Sequence, residues 1–149
     1  MPTNAPDLTE RPPRSPRVRL GGYALLPRML DKGRATLASA NGEYHYACPL
    51  DQRFLEFVGI DPDAVKQQLA SGKGDKEILD WIQANAKNKR TAAEIQTWST
   101  EQERRTPADA ESQKYFDELL AKAAPHRKDV KTWSELLDLD DFVSFGGKA

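Results

Sequence analysis

The sequence predicts an all-α protein: a compact orthogonal bundle of about six or seven helices, with an extended Pro/Arg-rich arm over residues 1–19 and one helical domain over residues 20–149. Three observations carry the prediction. Apolar residues recur at three- and four-residue spacing in successive segments. Residues that start and stop helices, chiefly Pro, Asp, Thr and Gly, sit between those segments. Only Glu43-Tyr44-His45-Tyr46 alternates as a strand does, and this one short extended stretch is too small to found a sheet.

The arm comes first. Prolines at positions 2, 6, 12, 13 and 16 bias it toward a polyproline-like course, with its end around Arg14 to Leu20 pinned to the body. A first helix is expected over about 26–39, because Leu26, Leu30, Gly33 and Leu37 fall in a stripe about 60° wide. Arg28, Asp31 and Lys32 fall on the opposite side, Pro27 fits a first turn, and Asn41-Gly42 supplies the stop. A second helix has Cys48 at its N-cap, Pro49 at its first position, Leu50, Phe54 and Phe57 on one face, and Gly59 at its end. Asp61-Pro62 opens a third that carries Val65 and Leu69 and stops near Ser71-Gly72.

Asp75 is read as the cap of a fourth helix bearing Ile78, Leu79, Trp81 and Ile82, which stops before the basic run Lys87 to Arg90. Thr91 with Glu94 forms a capping box for a fifth helix holding Ile95 and Trp98. Thr106-Pro107 and Asp109 open a sixth, where Tyr115, Phe116, Leu119, Leu120 and Ala123 recur at helical spacing before Pro125. Thr132 with Glu135 opens a short seventh with Trp133, Leu136 and Leu137. Asp138, Asp140 and Asp141 then read as a solvated acidic stop, since carboxylates oppose the dipole at a helix C-terminus.

A length of 149 residues suits one core. Lys plus Arg number 22 against 23 Asp plus Glu, so the net charge of −1 argues against general nucleic-acid binding and leaves any anion recognition to a local patch. No apolar run approaches the length of a membrane span. The first residues lack the apolar core of a secretory signal, and Asp7, Glu10 and the prolines oppose an amphipathic presequence, so the expected location is the cytoplasm. The single cysteine excludes an intrachain disulfide.

The strings PPRSPRVRLGGYALLPRMLDKGRA and GEYHYACPLDQRFLEFVGID, in this order, resemble a small, mostly bacterial family known as domain of unknown function 5069. The resemblance is strong over residues 9–85 and looser beyond. It implies a single-domain cytoplasmic protein and assigns no activity to any residue.

The residues themselves offer an anion site. Through position 34 there are seven basic side chains against Asp7, Glu10 and Asp31, a local charge of +4. Gly21 and Gly22 let backbone N–H groups approach a ligand, and the start of the first helix would offer free amides. Arg17, Arg19, Gly21, Gly22, Arg34, Tyr44, His45 and Asp51 are therefore the candidate ligand-binding residues for a small phosphate or carboxylate. The alternative is a solvated arm whose arginines pair with surface acids. Arg34 lies at about 80° and Asp51 within the apolar arc of its own helix, so a contact between them is expected, as an ion pair or one wall of a pocket. Asp51 at a helix start is equally explained by free amides alone.

A second possibility is thiol chemistry. Cys48 at a helix N-terminus with His45 as base would form a nucleophile, provided the chain turns at Ala47. The alternative is a small buried hydrophobe. His45, Cys48 and His126 have no metal-ligand spacing, so no metal and no cofactor is expected. The three tryptophans read as core, Pro13-Arg-Ser-Pro16 is a minimal PxxP match, and Phe142 to Phe145 is a candidate protein-contact patch.

Overall fold

The computed structural model describes residues 4–149. Seven helices occur among them: α1 (Leu26–Leu37), α2 (Pro49–Val58), α3 (Pro62–Ala70), α4 (Asp75–Asn85), α5 (Ala92–Arg104), α6 (Ala110–Ala123) and α7 (Trp133–Ser144). The described residues contain no strand, and their single β-bridge pairs Leu20 with Tyr23. The fold is all-α, as the periodicity requires.

Local chemistry explains most boundaries. Thr91 and Thr132 each accept from the backbone amide three residues on, and Glu94 and Glu135 reach back to the capping residues. Asp109 caps α6 through the Ser112 amide at 2.7 Å. Gly59, at φ 71°, ends α2 in the left-handed region that glycine tolerates best. Two start and stop readings change. Gly74 rather than Asp75 occupies the N-cap of α4, because the Asp75 carboxylate is turned toward Arg14 and Arg34. α7 runs through the three aspartates to Ser144, and in place of the expected solvated stop Asp138 and Asp141 are paired, with Asp141 buried, while Asp140 stays exposed.

The buried apolar residues form two clusters where a single core is expected. The larger joins Tyr23, Leu26, Met29 and Leu30 to Phe54, Val58, Leu69, Ile78 and Ile82, with Trp81 and Trp98 against it. The smaller joins Phe116, Val130, Leu136 and Leu139, with Trp133 against it. Polar and charged side chains between them keep the clusters apart.

α1 lies at the centre of the molecule, and every residue from Leu26 to Ala35 is buried. Its apolar stripe meets α3 closely, since a Cβ at Gly33 would fall 2.6 Å from Leu69 Cδ1. The face expected to point away is enclosed as well. Arg28 and Lys32 there are 4% and 3% exposed, and Arg34, expected beside the apolar stripe, is 3% exposed. Burying an unpaired charge is prohibitive, so each needs a partner from another element. Arg28 pairs with Asp141 of α7 at 2.8 Å, Lys32 with Asp51 of α2 at 3.0 Å, and Arg34 with Asp75 of α4 at 2.7 Å. Asp31 takes Arg14 of the arm at 2.9 Å.

The arm is correspondingly a packed strap. Leu8 is 1% exposed, and its amide donates to the Ala40 carbonyl at 2.8 Å. Arg14 bridges Asp31 and Asp75, while the Leu25 amide donates to the Pro16 carbonyl. Pro13 and Pro16 are buried, which withdraws the PxxP match from any recognition domain.

Leu8→Ala is expected to lower unfolding stability by about 2–4 kcal/mol in urea titration, the cost of a buried leucine. A freely solvated arm would show a change within about 0.5 kcal/mol. Burial works to raise the Asp75 carboxyl pKa, but hydrogen bonds from Arg14 and Arg34 outweigh it and hold the group below its ordinary value. A depressed folded pKa adds stability above the unfolded pKa and loses it as pH falls through the folded one. Native stability should therefore fall more steeply below about pH 4 in the parent than in Asp75→Asn, measured by urea titration across pH.

Candidate functional site

Between the two clusters lies a cleft of about 970 Å³. One wall is the loop from Gly42 to Cys48 with the first two turns of α2, and the other is the α6–α7 hairpin, with Arg105 closing one side. No strand forms at residues 43–46. The chain turns there, and Ala47 takes φ 59°, which swings Cys48 back into the cleft.

The polar residues of the cleft fall into three groups. The first centres on Asp141, which accepts from Arg28 at 2.8 Å and from the Tyr44 hydroxyl at 2.7 Å, while the Arg28 guanidinium lies 5.5 Å from the Tyr44 ring centroid. Burial and the bond to Asp141 push the Tyr44 phenol well above its ordinary pKa. This group ties the hairpin to α1.

The second group is Lys32, Asp51 and Cys48. Lys32 Nζ lies 3.0 Å from Asp51 Oδ1 and 3.2 Å from Cys48 Sγ, and the other Asp51 oxygen accepts the Ala47 amide at 2.9 Å. Burial raises the Asp51 carboxyl pKa despite the ammonium beside it.

The third group differs in having no acid. Arg53 of α2 donates only its Nε, to Gln102 at 2.6 Å, and Arg105 follows the end of α5. Neither forms a salt bridge among the described residues, and the Arg105 guanidinium donates no hydrogen bond among them. Burial lowers the Arg105 pKa from its ordinary value, and repulsion from Arg53 lowers it further. Two neighbouring guanidiniums without a carboxylate are suited to an anion from outside.

The residues singled out from sequence are divided by the fold. Tyr44, His45 and Cys48 line the cleft. Asp51 lies beneath it, held by Lys32. The expected contact between Arg34 and Asp51 is replaced by two separate pairs, because α1 directs Arg34 toward α4 and Lys32 toward α2. Arg17 is bound to Asp138 at 2.6 Å and Arg19 to Glu103 at 2.7 Å, which matches the alternative of arginines paired with surface acids. The start of α1 is buried from Tyr23 onward, so its amides are closed to a ligand. Gly21 and Gly22 serve packing: a Cβ at Gly21 would meet Leu79 Cδ2 at 2.6 Å, and the Gly22 carbonyl accepts from Ser99 Oγ at 2.7 Å. Arg53 and Arg105 were not legible as a site. They lie 52 positions apart in the sequence, and Arg105 ends an Arg-Arg run that reads as ordinary charge at a helix C-terminus.

The sequence matches the family described as Domain of unknown function (DUF5069) over residues 10–143, from the arm to the last turn of α7. No curated protein matches it. Among the described residues, no helix is long and apolar enough to cross a membrane.

Asp141→Asn leaves Arg28 buried without its carboxylate, and a loss of about 3–5 kcal/mol is expected in urea titration. Arg28→Met combined with Asp141→Leu should recover most of that loss, because no uncompensated charge remains.

Proposed function

The chain belongs to the DUF5069 family, and from the geometry of its cleft we propose that it is a small helical binding module that holds an anionic ligand between its two apolar clusters. Arg53 and Arg105 receive the anion, and His45 lines the same cleft. The observation that carries this reading is the contrast among the arginines and the lysine that line the cleft. Arg28 and Lys32 are paired with carboxylates, whereas the exposed Arg53 and the half-buried Arg105 face the cleft without one. A concave, largely apolar site with a few convergent polar groups is the usual form of a small-molecule site. The reading keeps the anionic ligand expected from sequence and moves it from the N-terminal arm to the cleft. It also keeps the cytoplasm as the expected setting.

A thermal-shift screen against carboxylates and phosphates tests it. A saturable rise in Tm is expected for at least one anion. Arg105→Ala should weaken that binding by about tenfold or more, the worth of one charge-assisted contact. Arg17→Ala should leave it unchanged. Binding lost in Arg17→Ala and kept in Arg105→Ala would return the site to the arm.

A second reading rests on a different observation: Cys48 and His45 share the cleft, and the turn at Ala47 that their cooperation needs is present. The hydrogen-bonding partner of Cys48 Sγ among the described residues is Lys32 at 3.2 Å, with His45 making no such contact. Under this reading the chain is a thiol-dependent enzyme, and Cys48 should alkylate with iodoacetamide at neutral pH faster than free cysteine. Alkylation no faster than free cysteine removes it.

A further inference from the structure

A bare anion site accounts for only part of this cleft. The volume of about 970 Å³ is at the upper end of small-molecule pockets, and a phosphate or acetate ion alone would leave most of it empty. The surface that continues from the two arginines is apolar. Leu50 sits one turn before Arg53 on the same face of α2. The Trp133 amide donates to the Arg105 carbonyl at 3.0 Å, which anchors the start of α7 beside that guanidinium. The Tyr115 ring lies 6.4 Å from the Trp133 ring and is 57% exposed, an uncovered aromatic at the edge of the cleft. Leu119, one turn further along α6, continues the same wall.

Charge restricts the head group. Glu43 and Asp140 line the same cleft and face any ligand in it. Partial burial raises the Asp140 pKa, and the neighbouring Asp141 raises it further. A phosphate dianion would add two negative charges near these acids. A carboxylate adds one, and its planar pair of oxygens matches the guanidinium fork.

Building on the binding reading above, we infer that the ligand is an amphipathic monocarboxylate: its head lies between Arg53 and Arg105, and its aromatic or acyl tail covers Leu50, Tyr115, Leu119 and Trp133. The carboxylate gives orientation and the tail gives most of the affinity. Each methylene buried against this wall should tighten binding by about fourfold.

Isothermal titration calorimetry on the full chain tests this with five probes: acetate, phenylbutyrate, phenylbutanol, phenyl phosphate and inorganic phosphate. Phenylbutyrate should bind about tenfold or more tightly than each of the others. Arg105→Ala should weaken it by about tenfold, and Tyr115→Ser, at an exposed position where folding is not at stake, by about threefold or more. Inorganic phosphate or acetate binding as tightly as phenylbutyrate, with loss in Arg105→Ala, would overturn the amphipathic ligand and leave the anion site standing. Phenyl phosphate binding more tightly than phenylbutyrate would overturn the choice of head group alone. Phenylbutanol matching phenylbutyrate, or no heat with any probe, would overturn both this inference and the anion-binding reading.

Discussion

The structure depends on the burial of a charged helix. Between Leu26 and Ala35, α1 is enclosed on all sides, although it carries Arg28, Asp31, Lys32 and Arg34. An ion in a protein interior is tolerated only with a partner in good geometry, and removing that partner leaves a larger penalty than the pair ever contributes. The four partners come from four different places: Arg14 in the arm, Asp51 in α2, Asp75 in α4 and Asp141 in α7. Each pair therefore fixes the position of one element against the hub. Apolar packing drives collapse, as in any bundle, but is less directional than a hydrogen-bonded ion pair.

This arrangement shapes the cleft. The α6–α7 hairpin has its own small apolar cluster and meets α1 through Asp141, which binds both Arg28 and Tyr44. The space between the clusters, lined in part by these polar side chains, stays open as the cleft. The same pairing occupies six of the seven basic residues through position 34, all but the exposed Arg11. Arg53 and Arg105 lie outside that network and line the cleft, which makes them the cations proposed to hold an external anion.

Helix positions were largely legible in the sequence because they depend on local chemistry. Two capping boxes, the Asp109 cap, the prolines at the starts of α2 and α3, and Gly59 act within a few residues of themselves. The apolar stripe of α1 was legible too, but not its enclosure. A helical wheel gives the direction of Lys32 and says nothing about whether α2 will cover it. Asp138 and Asp141 show the same limit: both look like a solvent-facing stop, and both are used by arginines more than a hundred residues earlier. Within the candidate site, Tyr44, His45 and Cys48 were found because they lie together in the sequence. Arg53 and Arg105 meet only through the packing of α2 against the end of α5, which no local pattern records.

The fold separates paired, buried arginines from those that line the cleft unpaired, and side-chain NMR of the guanidinium groups measures that separation directly. Arg14, Arg28 and Arg34 should give resolved, slowly exchanging Nη–H signals that hold still when a carboxylate is added. The Arg53 and Arg105 signals should move during the same titration. Averaged, solvent-exchanging signals from Arg28 and Arg34, with Arg53 and Arg105 unresponsive, would contradict both the buried hub and the site built beside it.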